Sequence, residues 1–379
     1  MRLAATIALP LLLSLTGIGS VARGQMSARH TPTAPRARQG TLDIYVSDTE
    51  GGKGTLFVSP SGETVLVDTG NPGDRDVGRI MDMISAAGVT KIDYLISTHY
   101  HTDHVGGLTE IARRIPIAHF MDHGANVEVP EAIAGFRVAY EQLYAKAAHT
   151  VLKPGDRVPV SGLDWRIVIS ATHAITTPLA GAGRANAGNC SNFQRKPEPA
   201  TPDDNAQSIG SVITFGQFRA LDLGDLLWNN EFDLVCPRNL IGTVDLYLVS
   251  HHGLDRSGSP ELVHAVTPRV AVMQNGPRKG GAPATFQTLR QSPGLEDIWT
   301  SHWSYAAGVE HNSPGVFIAN MDDRPTIASI INPEGTPAGA TRGNPAHAPA
   351  YAMKISAQRN GTFTVTNLRN AFSKTYLER

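Results

Sequence analysis

The spacing of apolar positions changes along the chain, first reading as strands alone and later as strands alternating with helices. Leu42–Ser47, Gly54–Ser59 and Glu63–Asp68 are short β-prone runs divided by Gly-Gly-Lys-Gly and Ser-Gly turns, the pattern of an antiparallel meander. From Asp74 to Ala87 the period becomes helical, with Val77, Ile80, Met81 and Ile84 on one stripe and Gly88 as the stop. Ile92–Ser97 reads as a buried strand. The pattern then predicts a helix over Val105–Arg114, another opened by Pro130 and running through Tyr140 and Leu143 to Ala148, and a strand over Asp164–Ser170. Thr172–Asn205 is dense in Gly, Pro, Ala and Asn and too long for an ordinary connection, so it reads either as the wall of an active site or as a surface insertion. Beyond it, strands are expected over Ser208–Phe215, Phe218–Leu223, Val244–Ser250, Arg269–Met273 and Gly315–Met321, with helices near Pro260–Ala265 and Ala284–Gln291. Tyr351–Val365 carries Asn360-Gly361 between two alternating runs, a hairpin signal. Together these predict an α/β fold: a four-layer αββα sandwich with its site at the edge between two sheets and a C-terminal β-hairpin.

Composition adds a compartment. The 379 residues are 41% hydrophobic and 18% charged, which suits one large or two modest domains. Met1-Arg2, the apolar stretch Leu3–Ile18 and the small residues up to Ala22 read as a secretory signal peptide over residues 1–24, cleaved after Ala22 or Gly24, with a retained anchor as the alternative. Residues 25–39 read as a flexible leader, 40–335 as the catalytic domain, and 336–379 as a linker with the terminal hairpin. No later stretch is apolar enough to span a bilayer, so a secreted or periplasmic protein is expected. Removing residues 1–24 takes away Arg2 and Arg23, leaving 31 basic against 34 acidic side chains, or −3, and net charge therefore gives no support to a nucleic-acid partner. Cys190 and Cys236 lack metal-binding spacing; in an oxidising compartment they are expected to form a disulfide, with two buried thiols as the alternative.

The chemistry is concentrated in His99, His101, Asp103 and His104, four residues within six positions just past a strand. In a tight turn His99 and His101 point one way while Asp103 and His104 face a neighbouring position, which splits four ligands between two metal sites. Imidazole with carboxylate suits zinc, iron or manganese, and the lack of nearby thiolates leaves the choice among them open.

Val67-Asp68-Thr69-Gly70, followed by Thr98-His99-Tyr100-His101-Thr102-Asp103-His104-Val105-Gly106-Gly107, resembles the signature of the metallo-β-lactamase superfamily. The resemblance implies two divalent metal ions, zinc first, with Asp68 orienting a ligand histidine and Asp225, in Leu223-Gly224-Asp225-Leu226, bridging both. It also implies a terminal histidine from Ser250-His251-His252-Gly253: His251 is the ligand expected and His252 a partner of the leaving group, with the exchanged roles as the alternative. These motifs together with Asp204-Asn205-Ala206-Gln207-Ser208 are similar, across Thr41–Asp322, to the metallo-β-lactamase-like domains of bacterial competence (DNA-uptake) proteins and to phosphorylcholine esterases. Those branches lack a third histidine at the first metal and carry Asn-x-x-Ser there, matched here by Asn205 and Ser208, while His173 competes to supply the missing imidazole. The chain departs from that branch at Asn275-Gly276-Pro277-Arg278-Lys279-Gly280-Gly281, which weakens DNA as the substrate; Arg278 and Lys279 either hold an anionic group such as phosphate or form a solvated basic turn. His302 and His311, in the final insertion, are candidates to line the substrate mouth.

Such a metal pair would lower the pKa of a shared water from about 15.7 towards neutrality and supply hydroxide as nucleophile, with Asp103 as both ligand and base. The expected activity is hydrolysis of phosphodiesters or phosphoesters, with a β-lactam or lactone hydrolase and a non-catalytic metal-dependent binding module as rival readings.

Overall fold

The three runs at the start of the chain form the antiparallel meander their turns require, in a computed structural model that describes residues 40–128, 140–197, 199–321 and 349–379. The signal peptide, the leader, most of the helix opened by Pro130 and the boundary at residue 335 lie outside the described residues. In chain order the strands are β1 Leu42–Val46, β2 Thr55–Val58, β3 Thr64–Val67, β4 Ile92–Ile96, β5 Ile117–Asp122, β6 Ala148–Val151, β7 Arg157–Val158, β8 Asp164–Ser170 and β9 His173–Ala174. They continue with β10 Gly210–Phe215, β11 Phe218–Asp222, β12 Leu246–Leu248, β13 Val270–Met273, β14 Asp297–His302, β15 Ile318–Asn320, β16 Met353–Ala357, β17 Phe363–Asn367 and β18 Ser373–Tyr376.

One sheet runs β18-β17-β16-β1-β2-β3-β4-β5-β6 and the other β15-β14-β13-β12-β11-β10-β8-β7, with β9 added to β8. Period-two alternation builds the layers. Leu42, Ile44 and Val46 of β1 face Ile213, Phe215 and the other inward residues of the second sheet, and Phe57 meets Trp165 edge to face at 4.8 Å. Burying side chains of this size stabilises the sandwich by about 1.5–3 kcal/mol each. On the outer face of the first sheet, Val77, Ile80 and Ile84 of α1 (Asp74–Ala86) pack with Ile111 of α3 (Leu108–Arg114); helices Trp228–Val235, Pro260–Val266 and Pro283–Gln291 cover the second. The result is the αββα order.

β3 to β6 run parallel, as do β11 to β15, so their C-terminal ends share an edge of each sheet, where such folds present their chemistry. Several expectations need correction. The helix expected over Val105–Arg114 is two: α2 (Thr102–Val105) starts inside the histidine motif, and the Gly106-Gly107 pair separates it from α3. Gly106 and Gly107 allow a close approach, since a Cβ on either would stand 2.3 Å from backbone atoms of neighbouring turns. His302 is no loop residue; it ends β14, buried, with its Nε2 2.6 Å from Asp48 Oδ1. The terminal hairpin pairs through β16 with β1 and carries a third strand, β18, that was not anticipated.

Candidate metal centre

Asp68 follows β3 directly with φ 62, a left-handed conformation that an aspartate adopts at a cost unless its surroundings hold it. Here they do. Its Oδ1 accepts the Thr98 N–H at 2.8 Å, and its Oδ2 accepts the Thr98 hydroxyl at 2.7 Å and His104 Nδ1 at 2.8 Å. With Nδ1 donating, His104 presents Nε2 to the site.

Asp103, His104, Asp225 and His252 converge there, their ligand atoms all within 4.8 Å of one another. His104 Nε2 lies 3.2 Å from both Asp225 Oδ2 and His252 Nε2, and His252 Nε2 lies 3.1 Å from Asp103 Oδ2. His252 is aimed from behind, its Nδ1 3.1 Å from the Gln274 carbonyl. Both rings of the His-His pair reach Asp225: His252, expected to face the leaving group, joins the group with Nε2 3.3 Å from Asp225 Oδ2, while His251, the ligand expected, holds Nδ1 3.1 Å from Ser257 Oγ and Nε2 3.5 Å from Asp225 Oδ2. Both residues have positive φ, 53 and 55, and this double left-handed turn brings the two rings to Asp225.

His99 stands beside this group, fully buried, its ring centroid 4.0 Å from that of His104 and 4.7 Å from that of His101. His101 is half-buried, with Nε2 2.7 Å from Glu128 Oε1, and forms with Glu128 and Asp203 a second cluster of potential ligands. Asp204, buried, ties the region together: it accepts the Tyr100 N–H at 2.6 Å and faces His123 Nε2 at 3.2 Å.

Two buried atoms test whether a cation fits. His99 Nε2 and Asp225 Oδ1 have no hydrogen-bond partner among the described residues. Leaving such atoms dry and unmatched costs about 1–3 kcal/mol apiece, and a divalent cation coordinated by nitrogen and carboxylate oxygen satisfies both. Electrostatics agree. Burial opposes the charge of Asp225, but His104, His252 and His251 hold its carboxyl well below the usual range; burial likewise opposes the charge of His104, yet Asp225, Asp68 and Asp103 raise it well above an ordinary histidine. Burial, helped by His104, pushes His99 well down, leaving it a neutral donor.

Among the other expected residues, Lys279 contacts Asp103 Oδ2, and Arg278 is exposed next to it in sequence. Ser208 Oγ accepts the Asp225 N–H at 3.2 Å, and the buried Asn205 keeps Oδ1 without a partner among the described residues. His173 is exposed and belongs to neither ligand cluster, and His311 lies near Gln287 at the surface. Sequence reasoning missed Lys53, buried and paired with Asp222; burial opposes its charge, but Asp222, Asp68 and Asp225 raise its pKa. The sign was a lysine set among glycines, read only as a turn. Glu128 carried no motif.

Cys190 and Cys236 are joined in a disulfide at the root of an arm that follows helix Trp228–Val235. Phe193 stacks on Phe232 at 4.3 Å, Arg195 pairs with Asp233, and Lys196 exchanges backbone hydrogen bonds with the Asn229 amide at 2.9 and 3.0 Å. Between the arm's end and this helix lies a cavity of about 650 Å³.

The family model of the metallo-beta-lactamase superfamily matches residues 52–274. Competence protein ComA of Neisseria gonorrhoeae is 26% identical over 250 residues, 65% of this chain, which spans only 28% of that relative. Metallo-beta-lactamase domain-containing protein 1 of Xenopus laevis is 26% identical over 224 residues, 53% of this chain and 89% of the relative. A solved metal-dependent hydrolase of the beta-lactamase superfamily has 13% identity, covering 69% of this chain and 97% of its own with a TM-score of 0.40.

Proposed function

The chain belongs to the metallo-β-lactamase superfamily, and from that premise we propose that it works as an exported hydrolase with two divalent metal ions, zinc first, acting on phosphodiesters or phosphoesters. The observation that carries the reading is the convergence of Asp103, His104, Asp225 and His252 beside a buried His99. His104, His252 and Asp103 would hold the inner ion; His99 would hold the outer one together with His101, whose Nε2 faces Glu128 and whose Nδ1 is the nitrogen left for a metal. Asp225 suits a bridging place, since Oδ2 faces the inner imidazoles while Oδ1 has no hydrogen-bond partner among the described residues. Metal ions bound here supply acidified water and polarise the substrate.

The remaining roles belong to the chain. Asp68 fixes the His104 tautomer, Lys53 places a buried positive charge behind Asp222, and Lys279 brings a cation to the Asp103 side of the mouth, where it favours an anionic substrate. Asn205 is a substrate-binding candidate through its unmatched Oδ1. His173 lies outside both ligand clusters, which counts against the lactam or lactone reading that its imidazole would have favoured. Among the described residues no helix is long and apolar enough to cross a membrane; the signal-like start of the sequence supports export. A small phosphoester suits the net charge better than a polyanion.

The test pairs elemental analysis of the purified protein with turnover of bis-p-nitrophenyl phosphate, nitrocefin and a simple lactone. Two ions per chain and phosphodiester turnover are expected. Turnover of only nitrocefin or the lactone would transfer the assignment, and a metal-free protein that binds no added zinc would remove it.

A further inference from the structure

The cavity beside the arm has a position that its volume alone does not convey. Besides Thr172, its walls come from three segments: Lys196-Pro197 and Pro199-Ala200 with Pro202, Asp203, Ala206 and Gln207; Leu227–Asn230; and Asp255-Arg256. Each adjoins a residue of the metal centre. Gln207 precedes Ser208, whose hydroxyl holds the Asp225 amide; Leu227 comes two residues after Asp225 and Asp255 three after His252. At 3.8 Å per residue those walls start within roughly 8–11 Å of the ligands they follow, and Asp203, which clusters with His101 and Glu128, lines the cavity itself, so the cavity lies close to the metal edge. At about 650 Å³ it has the size of a small-molecule site.

Its lining combines an apolar part with a polar one in which most of the charges are already engaged. Pro197, Pro199, Pro202 and Leu227 line it together with Trp228. Arg256 is paired with Asp203 at 2.7 Å, and Lys196 lies over the Trp228 ring at 4.4 Å. The indole Nε1 of Trp228 is buried with no acceptor among the described residues. That nitrogen is closed off from the cavity, so what the prolines and the indole offer is apolar face, which suits a planar ring that packs by its own face.

We propose that this cavity is the substrate-recognition pocket and that it takes an aryl or other planar ring of the substrate, leaving the bond to be broken at the Asp225 edge. The inference rests on the metal-hydrolase reading above and is tested separately from its phosphoester part. Isothermal titration of the metal-loaded protein would compare diphenylphosphinate with dimethylphosphinate, and phenylacetate with acetate; none of these is hydrolysed. In the wild type the aryl member of a pair is expected to bind at least tenfold tighter. Trp228→Ala, and Ala206→Phe, which fills the same cavity, should each bring that ratio close to one while metal content and the affinity for the methyl member stay unchanged; Trp228→Phe should keep most of the preference. A wild type that prefers neither aryl member would overturn the pocket, whether or not the variants fold. So would a preference that both folded variants retain. An aryl preference confined to the carboxylates would leave the pocket standing and count against the phosphoester reading.

Discussion

The metal edge and the arm beside it are built by opposite means. At the edge, Asp68, His99, Asp225 and His252 follow strand ends by one to four residues, and His104, Asp225 and His252 are each at most 2% exposed. His104 and His252 carry partners behind them, while His99 Nε2 and Asp225 Oδ1 have none among the described residues, and a dry site holds such atoms only at a cost. The arm has little of its own core. It is held to one helix by a disulfide, a ring stack and a half-exposed ion pair, and its end borders open space. The difference teaches where each property would reside: reaction class in the strand-end residues, and, on the proposal above, substrate choice in a loop that can change without disturbing them.

The largest expected effect would break the comparison at the edge. His252→Ala should lose at least one metal ion per chain and cut turnover by a factor on the order of 10³, whereas His251→Ala should keep both ions and lose less than about tenfold. Elemental analysis with turnover of bis-p-nitrophenyl phosphate separates them. If His251→Ala is the variant that loses metal, His251 and not His252 is the ligand of the pair.

The same contrast explains what could be read from sequence. The meander, α1, β4 and the histidine motif were legible because local periodicity and a strand end determine them. The His251-His252 pair was legible too, but not the division of roles within it, because two successive left-handed residues set where the rings lie and no side-chain pattern reports φ. Lys53 escaped because burial is a tertiary property, and a lysine among glycines reads as solvent-facing. β14 escaped because Asp-Ile-Trp-Thr-Ser-His has too few apolar residues to look like a buried parallel strand, although all of its last five residues are buried. The disulfide was anticipated from compartment alone; that it fastens an arm along one helix needed the structure.

A second experiment sharpens the comparison from the arm's side. Cys190 and Cys236 are separated by 46 residues, and closing a loop of that size restricts the unfolded chain by about 4 kcal/mol. The double variant Cys190→Ser, Cys236→Ser should therefore melt roughly 6 °C lower in calorimetry. Below its melting point it should keep the metal content of the wild type, because no ligand is on the arm. Loss of metal in the folded variant would show that edge and arm are one unit after all.

The smallest effect concerns a group that joins the two regions from behind. Glu231 lies in the helix that the arm follows, fully buried, and its carboxylate accepts the N–H groups of Gly258 and Ser259 at 2.7 and 2.8 Å, closing the loop that begins at His252. Burial raises its pKa from 4.5 to about 7; the two N–H donors oppose the rise without cancelling it, and Glu261 adds to it. The native state thus binds this proton more tightly than the unfolded chain does. Its contribution to stability is complete below about pH 4.5 and is lost as the pH rises through about 7, on the order of 3 kcal/mol in all. Glu231→Gln cannot ionise. The stability of the wild type minus that of Glu231→Gln, from urea denaturation of the metal-loaded proteins, should fall by that amount between pH 4.5 and 8, and taking the difference removes the titration of every histidine common to both. A difference that stays flat across this range would mean that Glu231 keeps an ordinary carboxylate pKa, and that the loop behind His252 is held by a charge at every working pH.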